Sequence, residues 1–129
     1  MKPRPGGLTT TAWVRDGLLT ERIPSAIVSS ALPRTVISSR LAGRIVRNVG
    51  DSWKCTSSPS VGKACGPVAK IDVSIDGCRA ASVHAVVAPL PRGFDLAIGR
   101  DAIEKSVKQI QFSPTRPARF VCRVRRRSY

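Results

Sequence analysis

A chain of 129 residues has room for one modest hydrophobic core and not for two, and 42% apolar residues set it apart from a disordered sequence. Aromatics make up only 5%, so Val, Ile, Leu and Ala must build the core, which suits strands, while ten glycines and ten prolines exclude a helical bundle. The net charge of +14 points to anionic partners.

Residues 1–8 are rich in Pro and Gly and read as a flexible leader. Residues 9–14 read as a strand, Asp16-Gly17 as a hairpin turn, and residues 18–28 as the returning strand, with Pro24 at an edge or bulge. A loop of small residues over 29–34 leads to a β-branched run at 35–37. Residues 38–46 carry Leu41, Ala42, Ile45 and Val46 at helical spacing behind a serine cap. Residues 48–67 hold Ser, Thr, Pro, Gly and two cysteines and read as a long irregular, flap-like loop. Residues 68–75 alternate as a strand, Asp76-Gly77 is a second hairpin turn, and 78–88 form its partner. An apolar strand over 94–98, a short helix over 101–106 and a strand over 107–112 complete the domain at about residue 113. Each half thus runs strand, Asp-Gly turn, strand, apolar strand, short helix, as in a duplicated β unit. Residues 114–129 form a basic tail, of which 118–124 alternate in part as a strand would.

Cys55, Cys65, Cys78 and Cys122 contain no CxxC pair, and with His84 the only histidine no zinc spacing exists. No cofactor motif appears either. No apolar h-region follows the first residues, and no stretch approaches the ~20 apolar residues of a membrane span. The expectation is an intracellular protein, cytoplasmic or nuclear, with reduced thiols; a Cys55–Cys65 bridge across the loop is the open alternative.

Two segments resemble a known family. Ala26-Ile27-Val28-Ser29-Ser30-Ala31, continuing to Thr35-Val36-Ile37-Ser38, is similar to the active-site segment of retropepsin-like aspartic proteases, in which an apolar strand meets Asp-Ser/Thr-Gly-Ala. Phe94-Asp95-Leu96-Ala97-Ile98-Gly99-Arg100-Asp101 resembles the later signature of that family, an apolar strand ending in Ile-Leu-Gly-x-Asp before the last helix. The resemblance covers about residues 9–113 and is nearest to the proteases of LTR retroelements. It implies an all-β fold with one or two short helices: a small closed acid-protease barrel, one lobe per chain, completed as a homodimer. It also implies a peptide cleft under a flap, here with Trp53 and Lys54, and chain termini interleaved in a shared sheet.

The chemistry is where this sequence departs from the family. An aspartic protease needs two carboxylates sharing one proton, one acting as acid and the other as base. Ser29 stands at the aspartate position, followed by Ser30, and Ala31 replaces the glycine. A serine hydroxyl is not a base near neutral pH, so no catalytic residue is expected. No Gly-x-Ser-x-Gly elbow surrounds Ser29 either, which leaves a Ser29–His84 pair without support.

The leading expectation is therefore a non-catalytic homodimeric scaffold that binds a peptide or protein. An aspartic endopeptidase, natural or with its aspartate replaced at Ser29, is the alternative. A basic nucleic-acid-binding module using Arg123, Arg125, Arg126 and Arg127 is the third. Trp13 reads as core or interface, with a base-stacking platform as the sharper alternative.

Overall fold

A computed structural model describes residues 8–111 and 119–123. The chain order is β1 (Leu8–Asp16), β2 (Leu19–Val28), β3 (Val36–Ile37), α1 (Ser39–Ile45), β4 (Trp53–Ser58), β5 (Gly62–Ile75), β6 (Ala81–Val87), β7 (Leu96–Ile98), α2 (Arg100–Ser106), β8 (Val107–Gln111) and β9 (Arg119–Cys122). Six strands, in the order β1-β2-β7-β3-β6-β5, close into a barrel because β5 also pairs with β1, from Ala12–Ile75 to Arg15–Asp72. The protein is thus all-β with two short helices, as its composition and turn signals imply.

Both Asp-Gly turns form where expected. Asp16 pairs with Leu19 across a Gly17-Leu18 tip. Asp76 and Gly77 have φ of 43° and 80°, the left-handed pair that matches strand twist in a tight turn, and the Cys78 N–H donates to the Ile75 carbonyl at 2.7 Å. The β1–β2 register slips between Thr10 and Ala12, opposite Pro24 and Ser25, which places the proline at a bulge where no ladder N–H is required.

The duplicated pattern is present in the pairings. Exchanging β1 with β5, β2 with β6 and β3 with β7 maps the hairpin β1–β2 onto β5–β6 and the parallel pair β2–β7 onto β6–β3. The antiparallel pairs β1–β5 and β3–β7 map onto themselves. The helices follow suit, α1 after β3 and α2 after β7.

Strands β2, β3 and β7 carry consecutive apolar residues because each is covered on both faces. Val28, Ile37, Leu96 and Ile98 face the main barrel core with Ile71, Val73, Ile75 and Leu41. Ile27, Val36 and Ala97 face a second, smaller cluster with Leu32, Ala64, Val86 and Ala88. Strand β5 serves both: Ala64, Gly66 and Val68 are buried, then Ala69, Ile71, Val73 and Ile75, the alternation changing phase where it leaves one cluster for the other.

Three expectations are corrected. Residues 48–67 are not an irregular loop: β4 and the first half of β5 form an antiparallel hairpin, in register from Trp53–Pro67 to Ser58–Gly62. The thiols are not reduced: Cys55 bonds Cys65 directly across that hairpin, and Cys78 bonds Cys122. Residues 119–122, expected within a basic tail, are a strand paired with this chain's own β8. That strand is further tied by the Cys78 disulfide and by the Arg123 N–H, which donates to the Ser106 carbonyl at 2.9 Å. No helix among the described residues is long and apolar enough to cross a membrane.

Candidate functional site

Strand β7 lies between β2 and β3, so the two segments that carry the family resemblance meet in space. The chain leaves β2 at Ser29, whose N–H continues the ladder by donating to the Ile98 carbonyl at 3.0 Å; the Leu32 N–H returns to the Ser29 carbonyl at 3.2 Å. By the internal symmetry the position equivalent to Ser29 is Ala88, whose N–H donates to Ile37 at 3.0 Å. Ser30 and Ala31 are exposed on the turn above, while Ser29 itself is only 1% exposed.

The Ser29 hydroxyl is the one buried side-chain polar atom among the described residues that has no hydrogen-bond partner. No carboxylate or imidazole reaches it. His84 lies exposed on the outer face of β6, opposite Lys70. The arrangement can hold a small polar contact at Ser29, but it contains no group that could take a proton from the hydroxyl.

The crossing is clamped by Thr35 and Asp101. The Asp101 carboxylate accepts from the Thr35 N–H at 3.0 and 3.1 Å, from the Thr35 hydroxyl at 2.7 Å and from the Ala102 N–H at 2.8 Å. The Thr35 hydroxyl accepts in turn from the Gly99 N–H at 3.1 Å. Gly99 is required for close approach: a Cβ there would sit 2.7 Å from the Leu32 carbonyl oxygen and 2.7 Å from the Arg34 carbonyl carbon. The Arg100 N–H donates to the Leu32 carbonyl at 2.7 Å, and its side chain lies out toward Glu104. Leu96, Ala97 and Ile98 are fully buried beneath.

A second clamp stands at the start of α1. The Ser38 hydroxyl caps Leu41 N–H at 3.0 Å and donates to Asp95 at 2.7 Å, while Arg40 binds the same carboxylate at 3.0 Å. Burial works to raise the Asp95 pKa, but the Ser38 and Arg40 hydrogen bonds outweigh it and hold the carboxyl below its ordinary range. The hydrogen bond from Arg44 lowers Glu21, and that from Ser82 lowers Asp72. Carboxyls with depressed folded-state pKa values contribute stability that is present above the unfolded value, near pH 4, and lost as pH falls through the folded one. Urea midpoints should therefore drop steadily below about pH 4, and Asp95→Asn should flatten that profile; an unchanged profile in the variant would exclude the clamp as a contributor.

The β4–β5 hairpin covers the loop after Ser29. The Thr56 hydroxyl accepts from the Arg34 N–H at 3.3 Å, Val61 at the tip packs on the small cluster, and Ser58 and Ser60 hydroxyls meet at 3.1 Å in the buried tip. Trp53 and Lys54, expected in the flap, are exposed at the base of this hairpin, with Trp53 68% exposed. Thr35 lies in the segment that carries the family resemblance, whereas Thr56 was missed, because one threonine in a Ser/Thr-rich stretch carries no signal until its partner arrives.

Arg123 is turned onto the end of α2, its Nε donating to the Glu104 carbonyl at 2.7 Å. Arg125, Arg126 and Arg127 lie outside the described residues. Among the described residues no group of three or more His, Cys, Asp or Glu side chains is gathered as a metal site. No protein-family model matches this chain, and no curated protein is significantly similar to it in sequence.

Proposed function

We infer that this chain is a retropepsin-like domain without a catalytic carboxylate, acting as a homodimeric scaffold that binds a peptide or protein partner. The observation that carries the reading is the buried, unpartnered Ser29 hydroxyl at the crossing of the two signature segments. An orphaned buried hydroxyl costs stability unless something binds it. A second copy related by a two-fold axis would meet this chain at the exposed Ser30-Ala31 turn, and its own Ser29 would supply that partner once the two turns open over the sealed hydroxyls. The pseudo-symmetric six-strand ring and the hairpin lying over the Ser29 loop support the same reading. A pair of hydroxyls on such an axis avoids the repulsion that two buried carboxylates would bring.

The test is the association state. Sedimentation should find a dimer at micromolar concentration, and Ser29→Ala should weaken it by about tenfold, since two hydroxyl bonds are lost per dimer. A chain that stays monomeric, and that Ser29→Ala stabilises by about 1 kcal/mol by removing an unsatisfied group, sinks the proposal. The double change Ser29→Asp with Ala31→Gly asks what remains of the cleft: pepstatin-sensitive cleavage of a peptide pool would show a binding groove still in place. The two closed disulfides support an oxidising setting, and the intracellular expectation, which rested on free thiols, loses that support.

A further inference from the structure

We propose that the outer face of β1, β2 and β5 binds single-stranded nucleic acid, with a base stacked on Trp13 and the phosphates held by the cations around it. Trp13 is 45% exposed, whereas its neighbours Ala12 and Val14 are buried in the barrel core. In register it is flanked by Arg22 on β2 and by Ser74 on β5, with Arg15 two residues along the strand.

Two hollows adjoin here. One of about 170 Å³ lies against Trp13, Thr20, Ser74 and Ala80; the other, of about 470 Å³, is bordered by Arg47, Asn48, Lys70 and Ser82; Arg15 and Asp72 line both. The smaller hollow thus has the indole in its wall, and the larger is bordered by the cations Arg15, Arg47 and Lys70.

The charge on this face is available to an anion. Arg22, Lys70 and the neighbouring Arg79 form no ion pair among the described residues. Of the acids at this face, Asp72 is engaged by the Arg15 guanidinium at 3.3 Å and the Ser82 hydroxyl, and Asp16 by the Arg47 N–H at 3.0 Å, while Asp76 lies exposed beside Thr11 at its end. An excess of fourteen positive charges over the chain attracts any polyanion. The exposed indole selects one with bases, because every base presents a π-face and stacking is tolerant of sequence. A flat sheet face with a central aromatic suits a single strand better than a duplex, whose bases are already stacked. This surface is separate from the Ser29 crossing, and the proposal stands or falls independently of dimer formation.

The experiment is fluorescence anisotropy of a labelled oligothymidylate of about twelve nucleotides, titrated with the full chain at about 50 mM salt. Trp13→Ala should weaken binding about tenfold with an unchanged denaturation midpoint, since the side chain lies outside the core. Arg22→Ala and Lys70→Ala should each reduce the slope of log affinity against log salt by about one. In the Trp53→Phe variant Trp13 is the sole tryptophan, and the oligonucleotide should quench it. Three results overturn the proposal: Trp13→Ala binding like the unaltered chain, affinity lost only when Arg125, Arg126 and Arg127 are changed to serine, or heparin, a polyanion without bases, competing as well as the oligonucleotide.

Discussion

Replacing Cys78 and Cys122 together by alanine is expected to lower stability by about 4 kcal/mol, the largest single loss this molecule should show. The bond closes a stretch with a sequence separation of 44 residues, and loop-closure entropy for a ring of that size is worth about 4 kcal/mol in the unfolded chain. The folded chain loses more than entropy, because the bond carries β9. Among the described residues Arg119–Cys122 pairs with β8 alone, and it is otherwise held by Phe120 packed on the core and by Arg123 on the end of α2. Against a net stability of about 5–15 kcal/mol for a domain of this kind, the loss is large enough to move the thermal midpoint by more than about 10 °C. Hydrogen exchange should show the β9 amides opening first while the barrel amides stay protected. Equal exchange rates in both regions would mean that β9 is not a separate, tethered unit. The Cys55–Cys65 bond spans only 10 residues within a hairpin already in register, so its removal should cost less.

The second expected result concerns the crossing. Asp101→Ala should destabilise the protein by about 3 kcal/mol. It removes a carboxylate that accepts from the Thr35 N–H, the Thr35 hydroxyl and the Ala102 N–H. Thr35 and Ala102 are both fully buried, and buried donors left without their acceptor carry a desolvation penalty. Asp101→Asn keeps one acceptor oxygen but turns an amide toward donors, and should fall between the two. Urea unfolding with an unchanged m-value would report these as stability differences. A midpoint for Asp101→Ala within error of the unaltered chain would show that Thr35 and Gly99 hold the loops without it.

The consequence for function follows from geometry. If the crossing loosens, the Ser29 turn and the hairpin above it lose their common support, because Leu32 and Arg34 link them to Arg100 and Thr56. In the proposed dimer, Asp101 variants that still fold should impair association as well as stability, which separates a positioned turn from a passive one.

Much of the fold was legible in local chemistry. Asp76-Gly77 announces its turn because few other dipeptides tolerate two left-handed residues, and Gly17 marks the first turn by supplying its one positive φ. Pro24 marks its bulge, Ser38 its cap, and the uninterrupted apolar runs at 26–28 and 96–98 mark strands covered on both faces. The β4 segment was not legible. Its Trp-Lys-Cys-Thr-Ser-Ser sequence has no apolar alternation, since one face is open and the other buries only Thr56 and Ser58. That hairpin is secured by its disulfide and by ladder bonds, which leave little trace in hydropathy. Trp13 could be read as core or interface, and the structure removes the core option, since it is 45% exposed.

What the sequence alone determined is the set of local conformations: the turns, the caps, the strand runs, the repeated order of the two halves and the absence of an acid at position 29. Those depend on backbone preferences and near neighbours, which are written in consecutive residues. Only the tertiary structure decided that β7 enters between β2 and β3, that Cys78 meets Cys122, that Asp101 reaches Thr35 and that the Ser29 hydroxyl is left without a partner. Each of these joins residues far apart in the chain. Their energies arise from burial and from satisfying polar groups at a distance, so they exist only once the barrel has closed.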